Sequence, residues 1–134
     1  LKDYSSTAYA DLARLSLAKA FVEAKEYDKA ASQLQSLVNS KPDISMEMLA
    51  RKRLASILYQ QGKLDQALEI LKVNFPKQFA AAFEELQGDI LAAQGKASNA
   101  REAYQRAQVA QPASPNPLFL QQKMEDLGLP GLNG

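Results

Sequence analysis

Apolar residues return at helical spacing along most of the chain, and Ala, Leu, Gln, Glu and Lys fill long stretches in which β-branched residues are few. The pattern predicts helices and no strands. It also repeats. Asp11 to Pro42, Met48 to Pro76 and Ala81 to Pro112 align with one another. In each, one helix pattern runs into a short turn and a second helix pattern follows. The turns are Ala24-Lys25-Glu26, Gln61-Gly62-Lys63 and Gln94-Gly95-Lys96. Gly62 and Gly95 can take the left-handed conformation that closes a helix, whereas Lys25 must bear strain there or end its helix differently. Asp28, Asp65 and Ser98 open the second helices, where their side chains are expected to accept from free N–H groups of the first turn. A linker around Pro42-Asp43-Ile44-Ser45 separates the first two repeats, and Pro76 is expected to stop the second.

The small residues carry a more specific signal. Ala18, Ala55 and Gly88 share one register position of the first helices, and Ala30, Ala67 and Ala100 share one of the second. Ala107 adds a third small position in the last repeat, from which Leu37 and Asn74 depart. Large residues face them at Leu17, Leu54 and Gln87, at Phe21, Leu58 and Leu91, and at Leu34, Leu71 and Tyr104. A helix pair with small residues set against large ones, returning about every 34 residues, is the signature of the tetratricopeptide repeat (TPR). The expected fold is therefore an all-α TPR solenoid of three helix-turn-helix repeats, over residues 11–44, 48–80 and 81–114, within one domain spanning 1–134. A capping helix over 117–127 completes it. Asn116-Pro117 opens that helix, Leu120, Met124 and Leu127 form its apolar face, and Gly128 and Pro130 end it. The tail from Gly131 to Gly134 is expected to be mobile.

Composition narrows the function. The 134 residues hold 16 Lys plus Arg against 15 Asp plus Glu, a balance that gives no reason to expect nucleic acid or an anionic membrane as partner. Cys, His and Trp are all absent. The usual structural zinc sites and His- or Cys-based catalysis are excluded with them. Nothing in the sequence asks for a cofactor or a metal, and the chain is read as no enzyme. Carboxylate or Lys chemistry is the only catalytic option left open. No apolar run is long enough to cross a membrane, and no signal peptide is visible.

Three groups stand out and each has an ordinary explanation. Glu84, Glu85 and Asp89 form an acidic cluster that could hold a cation, but a solvated helix face is preferred. Arg51-Lys52-Arg53 is a basic run that could hold phosphate, but successive residues diverge around a helix. Phe75, Phe79 and Phe83 are spaced for core packing rather than a ligand pocket. What remains is the concave face that repeat stacking gives to the first helices. Register places Leu12, Leu15, Lys19, Val22 and Glu23 there from the first repeat, and Leu49, Lys52, Ser56, Tyr59 and Gln60 from the second. The third repeat adds Glu85 and Asp89, flanked by Ala82, Ala92 and Ala93. This face mixes apolar area with both signs of charge and could hold an extended or helical peptide, unless part of it packs against the terminal helix. Leu15 and Ala82 stand where a TPR carboxylate clamp would need polar residues, so that mode is rejected.

The stretches YADLARLSLAKAFVEAKEYDKAASQLQSLV, LARKRLASILYQQGKLDQALEIL and LQGDILAAQGKASNAREAYQRA make the chain resemble, from about Tyr9 to Met124, the YfgM-like ancillary subunits of the SecYEG translocon. The resemblance implies a Gram-negative, single-pass inner-membrane protein with this domain in the periplasm. Its N-terminal anchor would lie outside the present chain, which begins at Leu1 without Met. The implied partners are the SecYEG translocon and a membrane-anchored periplasmic chaperone, and the implied role is passage of exported proteins from one to the other. The alternative is a TPR scaffold or lipoprotein of envelope, pilus or cell-wall assembly.

Overall fold

A computed structural model describes residues 2–128. The expectations for Pro130 and for the tail from Gly131 lie outside that range. Among the described residues seven α-helices run in order: α1 (Lys2–Glu23), α2 (Tyr27–Asn39), α3 (Ile44–Gln60), α4 (Leu64–Leu71), α5 (Ala80–Ala93), α6 (Ala97–Val109) and α7 (Pro117–Asp126). A 3₁₀ turn at Lys77–Phe79 precedes α5, and no strand occurs among the described residues. The all-α TPR-like fold is thus the observed one.

Each turn within a helix pair closes in the same way. The N–H groups of Glu26, Lys63 and Lys96 bond back to the carbonyls of Phe21, Leu58 and Leu91 at 2.8–2.9 Å. Those of Lys25, Gly62 and Gly95 bond to Val22, Tyr59 and Ala92 at 2.9–3.0 Å. This is the Schellman arrangement, and its pivot is left-handed: φ is +61° at Lys25, +78° at Gly62 and +79° at Gly95. Lys25 therefore adopts the same turn as the glycines and carries the strain of a Cβ in that region. The carbonyls of Glu26, Lys63 and Lys96 then accept from the N–H groups of Ala30, Ala67 and Ala100, starting the next helix. One residue per turn thus closes one helix and opens the other.

These bonds correct the expected caps. The cap positions are Glu26 and Lys96, with no side-chain cap bond at either. Asp28 is the second residue of α2, and its carboxylate accepts instead from the Gln61 side-chain amide at 2.7 Å. Ser98 likewise lies inside α6. The expected linker is partly helical as well. Asp43 accepts from the Met46 N–H at 2.9 Å, which caps α3 and draws Ile44 and Ser45 into its first turn. α4 stops at Leu71, well short of Pro76, so the proline is not its immediate terminator.

All the small register positions are buried: Ala18, Ala55, Gly88, Ala30, Ala67, Ala100 and Ala107. At Gly88 the reason is visible, since a Cβ there would run into the Tyr104 ring. Leu54, Leu58, Leu34, Leu71 and Tyr104 are buried as expected, but Leu17 is 43% exposed and does not serve as a core partner.

The chain forms two compact units, Leu1–Ile70 and Leu71–Gly134. In the first, Ala30, Leu34, Leu37 and Val38 of α2 and Leu54, Ala55, Ile57 and Leu58 of α3 belong to the buried core. In the second, Ala100, Tyr104 and Ala107 of α6 form a cluster with Leu120 and Met124 of α7, flanked by Leu91, Ala92 and Leu127. Phe83 is fully buried, with ring centroids 5.0 Å from Phe75 and 6.3 Å from Phe79. The three aromatics are core, and this packing fixes the start of α5.

Candidate protein-binding groove

Within the first unit, residues assigned by register to the concave face do come together. Lys19 and Val22 of α1 and Lys52, Ser56 and Gln60 of α3 line one cavity of about 320 Å³. Ala18, Leu34 and Ile57 lie beneath them, and Arg53 stands at the wall. Helical geometry explains the set. Positions 19 and 22, and 52, 56 and 60, are each spaced by three or four, so each group shares one helix face. The floor is apolar because Ala18, Leu34 and Ile57 also belong to the core between α1, α2 and α3.

The remaining assigned residues lie around this cavity or apart from it. Leu15, Leu49 and Tyr59 are half-buried and Glu23 is exposed, but none of them lines the cavity. Leu12 is 51% exposed. Tyr9, at 74%, is exposed on the same helix.

In the second unit the corresponding face is already occupied. Lys123 of α7 donates to Glu85 Oε2 at 2.9 Å and to Asp89 Oδ2 at 3.1 Å. The Tyr104 hydroxyl donates to Asp89 Oδ1 at 2.6 Å, and the Ser114 hydroxyl donates to Glu85 Oε1 at 3.3 Å. Glu84 turns the other way and pairs with Arg106 at 3.0 Å. The acidic cluster is therefore not a solvated face. Its carboxylates anchor the loop before α7 and α7 itself, and no carboxylate group suited to a metal is found among the described residues. Burial pushes the Lys123 ammonium pKa down, but hydrogen bonds and charge from Glu85 and Asp89 outweigh it, and the net shift is upward. Lys123 also lies 4.7 Å over the Phe119 ring. Lys123 and Ser114 were not singled out by the sequence, because their partners lie 29 to 38 residues away.

The basic run divides. Arg51 pairs with Glu47 at 2.8 Å and donates to the Ile70 carbonyl at 3.0 Å, tying α3 to α4. Lys52 and Arg53 face the cavity. A second groove of about 450 Å³ lies between α2, α3 and α4, with Asp28, Leu54, Leu58 and Ile70 among its lining. Sequence register had not singled it out.

A model of the tetratricopeptide repeat-like domain matches residues 1–129. The chain belongs to this family. Curated relatives of this TPR domain carry the name ancillary SecYEG translocon subunit. That of Aggregatibacter actinomycetemcomitans is 37% identical over 81% of the chain and 53% of its own length. That of Neisseria gonorrhoeae is 32% identical over 94% of the chain and 61% of its own length. That of Escherichia coli strain K12 is 33% identical over 75% and 49%. The resemblance drawn from the repeats is thereby borne out. The TPR domain described here spans about half to three-fifths of the length of these relatives. No helix among the described residues is long and apolar enough to cross a membrane.

Proposed function

We propose that this domain is the non-catalytic, protein-holding part of a translocon-associated inner-membrane protein. In this reading it stands in the periplasm and links SecYEG to a membrane-anchored periplasmic chaperone during protein export. The observation that carries the reading is the groove on α1 and α3. Its apolar floor is rimmed by polar and charged side chains, as suits a surface that must be solvated when empty and desolvated when occupied. Four relatives named as translocon subunits supply its setting.

The test places a photo-crosslinking amino acid at Ser56 or Tyr59 of the membrane-bound protein in cells. Crosslinks to SecYEG or to a periplasmic chaperone are expected. Val22→Ala and Gln60→Ala, both of which line the groove, should weaken that capture while helicity by circular dichroism stays intact. Lost helicity would mark both residues as core and remove them from the site. The residues encoded ahead of Leu1 are expected to include about 20 apolar ones preceded by Lys or Arg. A lipidated Cys in their place would turn the assignment toward an envelope scaffold.

A further inference from the structure

Three cations surround the α1–α3 cavity: Lys19 from α1, and Lys52 and Arg53 from successive positions of α3. All three are exposed. Among the described residues, none has a carboxylate partner: the acid groups in ion pairs at α1–α3 go to Arg14, Lys29, Arg51 and Lys63. Glu23 lies one turn beyond Lys19 but does not line the cavity. The whole chain is nearly neutral, so this concentration of one sign is local. The floor beneath the cations is apolar, formed by Ala18, Leu34 and Ile57, with Val22 beside it.

We infer that the groove is selective for an acidic segment of a partner protein, one large apolar side chain entering the cavity with carboxylate side chains on either side of it. This rests on the docking role proposed above and specifies the chemistry of the occupant. A volume of about 320 Å³ admits one or two large side chains rather than a whole helix face. The cations stand at the rim, where a carboxylate pairs without full desolvation. Such pairs raise the encounter rate and reject basic segments more than they add raw affinity. An anionic membrane surface would satisfy the cations and leave the apolar floor empty, which is why a peptide is the favoured occupant.

The probes are three fluorescein-labelled peptides with a common Leu-Phe centre, flanked by Asp and Glu, by Asn and Gln, or by Lys. Fluorescence anisotropy at low and high salt reads their binding to the domain. The acidic peptide is expected to bind best and to weaken with salt. Lys52→Glu with Arg53→Glu should weaken it by about tenfold or more, whereas Lys77→Glu, a single charge reversal in the other unit, should leave it unchanged. Equal binding of the acidic and neutral peptides, both blocked by Ser56→Trp, overturns the acidic preference and leaves a docking groove. Binding to phosphatidylglycerol vesicles through Lys52 and Arg53, with no binding of the acidic peptide, also overturns it. So does failure of all three peptides, and the crosslinks from Ser56 then decide separately whether the groove docks a partner at all.

Discussion

Lys25, Gly62 and Gly95 hold one conformation in three turns, yet only two of them are residues suited to it. A left-handed non-glycine residue costs about 1 kcal/mol or more. Lys25→Gly should therefore raise stability by up to about 1 kcal/mol, read as a higher urea midpoint at unchanged slope. At Gly88 the constraint is space rather than dihedral. Gly88→Ala drives a methyl into the Tyr104 ring and should cost about 1–3 kcal/mol. The same substitution in an ordinary helix interior would be mildly favourable. Both positions could be read from the sequence, because a repeat superimposes them on their equivalents. Asp28 could not. A carboxylate at the start of a helix looks like a cap, and only the folded chain brings the Gln61 amide to it from 33 residues away.

At the scale of elements, α7 shows how far an amphipathic pattern reaches. Leu120, Met124 and Leu127 announced its buried face, because that spacing is local. Its polar attachment was hidden, because Lys123 finds Glu85 and Asp89 only across the tertiary fold. Lys123→Ala should cost about 2 kcal/mol, the scale of hydrogen bonds to charged groups. It should also raise the amide exchange of residues 117–126 above that of α5. The upward pKa shift fixes the sign of the alkaline response. The native ammonium is held more tightly than the unfolded one, so its stabilisation is fully present below the ordinary Lys value of 10.5 and is lost as pH rises through the native pKa. Melting curves above that pH should fall faster for the native sequence than for Lys123→Met.

Over the whole molecule, the residues that register assigns to a concave face meet different surroundings in the two units. Lys19, Val22, Lys52, Ser56 and Gln60 line an open cavity, whereas Glu85 and Asp89 are engaged by the chain itself. Register gives the direction of a side chain and not whether another segment of the same protein already covers it. The open cavity separates binding from stability. Lys52→Glu and Arg53→Glu, on exposed and unpaired side chains, should change unfolding free energy by no more than about 0.5 kcal/mol. Leu54→Ala, one position on and 2% exposed, should cost about 2–5 kcal/mol. Chemical denaturation of the three variants checks the contrast.

The turn residues Glu26, Lys63 and Lys96 each donate to the helix behind and accept from the helix ahead. That double attachment makes the number of residues in each turn an invariant of the fold. An insertion there cannot be absorbed as a bulge, since it shifts the donor or the acceptor out of reach and frays two helices at once. Segments between pairs carry no such restriction, and the 37-residue step from Lys25 to Gly62 against 33 from Gly62 to Gly95 shows length drifting where it is permitted. One alanine added after Gly62 should therefore lower the melting temperature far more than one added after Asn74, which lies outside any helix. Over evolutionary time the spacing inside a pair should stay fixed while insertions and deletions collect between pairs.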